Sequence, residues 1–173
     1  DMINTTNDVL YLLAGGNFIP TSMSINEFNN KKSDFYRSIP FTDRIKSESG
    51  NFISNNDNYI GLHLRFTDRT KWAPDINYIE SVISESESKF YICSDDRYII
   101  DKLRLKFGDK ILSYDITNLN RGTSECNIQS MIEWLILANS KKIYYSLGSS
   151  YSYEACIYNK LSNSVEMNPN NMD

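Results

Sequence analysis

The chain has 173 residues, 40% of them hydrophobic and 23% charged, with a net charge of -4. That length and mix fit one globular domain with a sizeable core and exclude a disordered, collagen-like or disulfide-scaffold chain. The acidic balance argues against a non-specific nucleic-acid binder, and no run of about 20 apolar residues could span a bilayer as a helix.

No charged-then-apolar leader opens the chain. It starts at Asp1 rather than Met, which predicts a piece cut from a longer protein or a processed product. Nothing in the sequence chooses between the cytoplasm and a secretory-pathway lumen. Cys93, Cys126 and Cys156 are odd in number and lack CxxC spacing. They read as small hydrophobes rather than as a zinc site or a disulfide framework.

Residues 1–57 are expected to form an N-terminal extension packing on a core built by residues 58–173. Within it, residues 9–14 read as a short helix stopped by Gly15-Gly16. Residues 22–33 are polar with weak periodicity, residues 41–48 could form a short helix, and residues 54–58 read as a linker.

From residue 58 the pattern turns regular. Strands are expected at 59–64, 90–93, 111–114 and 142–146. Helices are expected at 74–87, 96–107, 125–138 and 149–161, from apolar residues at helical spacing. The strongest carries Ile128, Met131, Ile132, Leu135 and Ala138 on one stripe, widened by Trp134 and Leu137. Strands alternating with helices predict an α/β fold, a Rossmann-like three-layer domain with a parallel sheet.

In such a sheet, ligands bind beyond the carboxyl ends of the strands. Those ends carry the polar chemistry. His63, Arg65 and Asp68 follow the first strand, and Asp95 and Asp96 follow the second. Asn118 and Arg121 follow the third, and Gly148, Ser149, Ser150 and Ser152 follow the fourth. Gly148-Ser149-Ser150 opens a helix, where unpaired N–H groups and the dipole favour an anion; a plain N-cap would explain the serines equally well. Arg65 can grip a phosphate with its guanidinium fork. His63 and Arg65 share one side of their strand. Asp95-Asp96 admits three readings: a helix cap, a sugar or base contact, or a carboxylate pair for Mn²⁺ or Mg²⁺. No GxSxG, GxGxxG or P-loop occurs.

Tyr59-Ile60-Gly61-Leu62-His63-Leu64-Arg65-Phe66-Thr67-Asp68, Phe90-Tyr91-Ile92-Cys93-Ser94-Asp95-Asp96, and Gly148-Ser149-Ser150-Tyr151-Ser152 after a buried helix stand in that order. Together they resemble three signature segments of the GDP-fucose-dependent fucosyltransferase superfamily, which holds α1,2-, α1,6- and protein O-fucosyltransferases. The resemblance covers about residues 39–162. Many members carry a second arginine where this chain has Phe66.

The resemblance implies the donor-binding, C-terminal half of a GT-B glycosyltransferase. Such an enzyme works with inversion, without a metal or other cofactor, and takes a nucleotide-sugar donor, GDP-fucose above all. Arg65 would hold the β-phosphate, and His63 the base or ribose. Ser149 and Ser150, with Gly148 and Ser152, would take phosphate. Asp95 or Asp96 would lie beside the donor, and Arg121 would join the donor set. For the base that activates an acceptor hydroxyl the candidates are Asp68, Glu48 and Asp43, with Asp68 taken as catalytic beside Arg65. The expected partners are the donor, a glycan or glycoprotein acceptor, and a further domain of a longer parent. A metal-dependent GT-A-like transferase using Asp95-Asp96, a non-catalytic nucleotide-sugar or glycan-binding module, and a Rossmann-like interaction domain remain alternatives.

Overall fold

A computed structural model describes residues 19, 22–67, 73–118, 120, 122–160 and 164–167. The expected helix at 9–14 lies outside them. The elements run α1 (Ile25–Ser38), α2 (Asp43–Asn55), β1 (Ile60–Leu64), α3 (Ile76–Ser84), β2 (Phe90–Ser94), α4 (Arg97–Phe107), β3 (Ile111–Leu112), α5 (Ser124–Ala138), β4 (Ile143–Ser146), α6 (Ser150–Tyr158) and β5 (Val165–Met167). The strands form one parallel sheet in the order β3-β2-β1-β4-β5, so the chain reverses its direction of travel across the sheet between β1 and β4. This is the α/β, three-layer, Rossmann-like arrangement that the alternation predicts.

The two-residue repeat of β1 divides the core. Ile60, Leu62 and Leu64 pack with Ile79 and Ile83 of α3 and Ile100 and Leu103 of α4. Tyr91 and Cys93 of β2 face the opposite layer, with Ile132, Ile136 and Leu137 of α5 and Ala155 and Cys156 of α6. A parallel strand covered on both faces reads as a near-continuous apolar run, and β1 is buried from end to end. Gly61 is the gap in that run. A Cβ there would lie 2.7 Å from both Leu137 Cδ1 and Ser140 Oγ, so glycine lets α5 sit directly on the strand.

Residues 132–138 of α5 are all buried, because that helix lies between the sheet and α2. A helix enclosed in this way needs apolar residues around its whole circumference. Trp134 satisfies its Nε1–H on the Tyr151 carbonyl at 2.9 Å. The cysteines are free; Cys93 and Cys156 are buried and Cys126 is half-buried.

The N-terminal region departs most from expectation. Residues 22–33 are not an irregular stretch: most of them belong to α1, which starts at a Ser24 cap accepting from Glu27 N–H. Its contacts with α6 are largely polar, which is why no apolar stripe announces it. Lys32 meets Glu154 at 2.5 Å, Tyr36 Oη donates to Glu154 at 2.9 Å, and Ser33 Oγ donates to the Tyr158 carbonyl at 2.9 Å. The second helix runs on to Asn55, taking in two residues of the expected linker. Arg44 ties it to α5, its fork donating to Glu125 at 2.6 and 2.7 Å.

Smaller differences have local causes. The third strand stops at Leu112, and Arg97 donates to the Tyr114 carbonyl at 3.3 and 3.4 Å. The last helix ends at Tyr158, shortly before the left-handed Lys160. The short β5 was not expected; it pairs with β4 from Tyr144↔Val165 to Ser146↔Met167. Among the described residues no helix is long and apolar enough to cross a membrane.

Candidate functional site

The reversal between β1 and β4 opens a crevice at their carboxyl ends, where ligands of such sheets bind. Backbone register between the two strands stops at His63↔Tyr145. One side chain then continues the link. Ser146 Oγ accepts from the Arg65 N–H at 3.0 Å and donates to the His63 carbonyl at 3.3 Å. His63 and Arg65 are therefore held at the mouth of the crevice by a residue of the neighbouring strand.

A cleft of about 330 Å³ follows, lined by His63, Arg65, Cys93, Ser94, Asp95, Ile116, Asn118, Cys126, Ser130, Glu133 and Tyr151. Its floor is the His63 ring, 8% exposed and tilted against Tyr151 at 5.2 Å. Burial pushes the His63 pKa down to about 4; the Arg65 charge adds to this and Asp95 opposes it. The ring is thus neutral at pH 7, and its buried Nδ1 has no partner among the described residues. Tyr151 is fixed in turn, its hydroxyl donating to the Ser130 carbonyl at 2.7 Å.

Glu133 of α5 is a cleft residue that the sequence reading overlooked. It is 6% exposed, and among the described residues its Oε1 accepts no hydrogen bond; the Arg97 guanidinium stands 3.8 Å away. Burial raises its pKa to about 7, against the pull of Arg97. A sequence signal existed: a single carboxylate inside the apolar run Ile132-Glu133-Trp134-Leu135-Ile136. A buried acid without a strong partner is more often found at functional sites than elsewhere.

The two aspartates do separate work. Asp95 lines the cleft and braces the loop after β1, accepting from Phe66 N–H at 2.8 Å, Thr67 N–H at 3.3 Å and Thr67 Oγ1 at 2.6 Å. Asp96 is the N-cap of α4, accepting from Tyr98 N–H at 3.0 Å. On the far wall, Gln129 accepts from the N–H groups of Thr117 and Asn118 at 3.0 and 3.1 Å, which fixes the loop after β3.

The start of α6 is unlike the other α-helix starts. Ser24, Thr42, Asp75, Asp96 and Thr123 each cap their helix with a side-chain oxygen. Ser149 does not, and its buried hydroxyl has no partner among the described residues. The N–H groups of the first turn, Ser150 to Ser152, have no partner inside the helix. Gly148 takes the left-handed φ of 66° that turns the chain into α6, and its N–H donates to Glu166 at 3.1 Å. Ser152 Oγ is buried and turned back to the Ser149 carbonyl at 3.5 Å.

The structure thus brings His63, Arg65 and Asp95 into one cleft, with Gly148, Ser149, Ser150 and Ser152 grouped at the helix start beside it. Asp68 and Arg121 lie outside the described residues. Glu48 and Asp43 do not line the cleft. Glu48 accepts from Tyr114 and Arg44, which holds its carboxyl below the usual range. Among the described residues no three His, Cys, Asp or Glu side chains are grouped as metal ligands.

No protein-family model and no curated protein matches the sequence. Solved structures do match the fold. POFUT1 in complex with GDP matches with a TM-score of 0.55 and 14% identity, over 86% of this chain and 51% of that chain. POFUT1 in complex with GDP-fucose matches with a TM-score of 0.57 and 12% identity, over 83% and 50%. The fold is shared with fucosyltransferases. NodZ alpha-1,6-fucosyltransferase, co-crystallized with GDP, matches with a TM-score of 0.53 and 15% identity, over 69% and 43%. The chain spans about half the length of the fucosyltransferase structures it matches. The likeness is one of fold, and it agrees with the resemblance carried by the three sequence segments.

Proposed function

We propose that this chain binds a nucleotide-diphosphate sugar, GDP-fucose in the first instance, as the donor-binding part of an inverting GT-B glycosyltransferase. One observation carries the reading. The β1–β4 crevice holds Arg65 and the neutral ring of His63, and Tyr151, in the first turn of α6, lines the same cleft; that helix starts without a side-chain cap, and the buried Ser149 hydroxyl has no partner among the described residues. An anionic diphosphate suits the positive charge of Arg65 and the buried Ser149 hydroxyl. Arg65 gives a guanidinium fork, and the first turn of α6 gives backbone N–H groups and the positive end of its dipole. The fold shared with proteins solved with GDP or GDP-fucose supports the same reading.

In this proposal the acceptor oxygen attacks the anomeric carbon as the bond to the β-phosphate oxygen breaks on the opposite face. Negative charge grows on the departing diphosphate. Fixed donors aimed at that charge lower the barrier, because they are oriented before the reaction begins. Asp68 is the proposed base that takes the acceptor proton. Glu133 is proposed to read the nucleobase: guanine offers two adjacent N–H donors to a carboxylate, whereas uracil offers only one along its pairing edge. Donor binding is proposed of this chain, and transfer of the whole protein.

Calorimetric titration with GDP, UDP, CDP and GDP-fucose tests the reading. GDP and GDP-fucose are expected to bind at least about ten times more tightly than UDP, the scale of one charged hydrogen bond. Glu133→Gln should narrow that gap. Equal affinity for all four ligands, or no binding of any, would refute the donor assignment.

A further inference from the structure

A second cavity, of about 480 Å³, adjoins the donor cleft. It lies between the C-terminal end of α1, α5 and the first turn of α6, and its walls include Tyr36, Ile39, Phe41, Met131 and Trp134. Ser130 and Tyr151 line both cavities, so one wall separates them. Ser150, next to Tyr151 at the helix start proposed to hold the diphosphate, lines the second cavity.

Apart from the small polar side chains of Asn127, Ser130 and Ser150, the polar groups of this groove are engaged within the protein. Glu154 is neutralised by Lys32 at 2.5 Å and hydrogen-bonded by Tyr36 at 2.9 Å. Trp134 Nε1 donates to the Tyr151 carbonyl and the Tyr151 hydroxyl to the Ser130 carbonyl. No lysine or arginine is in the lining. The rest of the surface left to a ligand is mainly aromatic and aliphatic. Away from Ser150, such a wall suits an apolar group rather than a phosphate.

We infer that this groove is an acceptor subsite for a neutral acceptor that carries an aryl or alkyl group. The apolar group lies against Trp134, Phe41 and Met131, and the hydroxyl-bearing part reaches past Tyr151 and Ser150 toward the donor. The inference rests on the donor reading above: a sugar attached to a diphosphate at the start of α6 emerges beside Ser150, where this groove opens.

The test compares octyl β-D-glucoside, below its micelle-forming concentration, with methyl β-D-glucoside, by calorimetry on the whole chain with and without saturating GDP. Ile39→Asp and Met131→Lys alter groove residues that are each 37% exposed, so their folding can be checked by thermal melting. Leu105→Lys, at a 90% exposed position on α4, controls for adsorption to any apolar surface. The octyl compound should bind at least tenfold more tightly than the methyl compound. That gain should vanish in both groove variants, persist in Leu105→Lys, and survive GDP saturation, with GDP affinity unchanged throughout.

No gain in the unaltered chain, a gain that survives both groove variants, a gain lost in Leu105→Lys, or competition with GDP would each overturn the inference. If the groove behaves as expected but GDP does not bind at all, the donor reading fails. The groove is then an apolar binding site and not an acceptor subsite.

Discussion

Strand β1 has two neighbours, and the two sides differ in how they use polar groups. Toward β2 the register runs the whole length, from Ile60↔Phe90 to Leu64↔Ser94. At the end of that seam Asp95 braces the loop after β1 through three hydrogen bonds, and Asp96 caps α4. Toward β4 the pairing stops at His63↔Tyr145, Ser146 alone bridges the gap, and α6 starts without a side-chain cap. His63 Nδ1 and Ser149 Oγ are buried there without partners among the described residues. Buried polar atoms are nearly always hydrogen-bonded; the Tyr91 hydroxyl of β2 is a further exception among the described residues, but it faces the core and not the crevice. The β2 side stabilises the loop; the β4 side is the one proposed to meet a ligand.

Substitutions can break this contrast. Arg65→Ala should weaken GDP binding by about 10- to 100-fold, the range of a charged hydrogen bond, with little change in melting temperature. Equal GDP affinity in calorimetry would remove Arg65 from the phosphate site. Asp95→Ala should do the reverse in emphasis. Its three hydrogen bonds are on the surface, so a loss of about 1–2 kcal/mol of stability is expected, read by urea denaturation. A stability unchanged from the parent would mean that the loop after β1 does not depend on Asp95.

Ser149→Ala sharpens the comparison further. At a working N-cap this change costs about 1 kcal/mol. Here it should leave stability unchanged or slightly raised, because it removes a buried hydroxyl without a partner. GDP affinity should fall only a few-fold. A loss of stability as large as at an ordinary cap would show that Ser149 serves the fold.

The same contrast can be read in the pH dependence of stability. The folded pKa of His63, about 4, lies below the ordinary 6.5, so the unfolded chain binds more protons between those values. Its stabilising contribution is therefore present above pH 6.5 and is lost as pH falls toward 4. Glu133 works oppositely. Its pKa is raised from 4.5 to about 7, so its contribution is present below pH 4.5 and is lost as pH rises through 7. The two slopes oppose each other between pH 4.5 and 6.5. Glu133→Gln should leave the rising His63 slope exposed, and His63→Gln the falling Glu133 slope, in chemical denaturation across that range. Flat profiles in both variants would contradict the burial of these groups.

Much of the fold was legible because buried parallel strands and amphipathic helices leave periodic traces. The runs around Leu62 and Ile92, and the helix through Ile132 and Leu135, were readable for that reason. The first helix was not, since Ser33 is its only buried residue and it is held to α6 by Lys32, Tyr36 and Arg37. Polar contacts between residues more than a hundred positions apart leave no local pattern. The strand at Val165–Met167 is three residues long, too short for alternation to stand out.

The sequence by itself determined the layer architecture and which strand ends carry polar residues, because hydrophobic period and turn chemistry are local properties. It also contained the three segments that resemble the fucosyltransferase superfamily. Only the tertiary structure decided which polar groups are engaged and which are left over. Asp95 and Asp96 are adjacent in the chain, yet one braces a loop 28 and 29 residues away while the other caps its own helix. Glu133 reads as an interruption of an apolar helix until the sheet places it in the cleft with His63 and Arg65. Burial and hydrogen-bond satisfaction depend on neighbours brought together by folding, so only the assembled crevice reveals them.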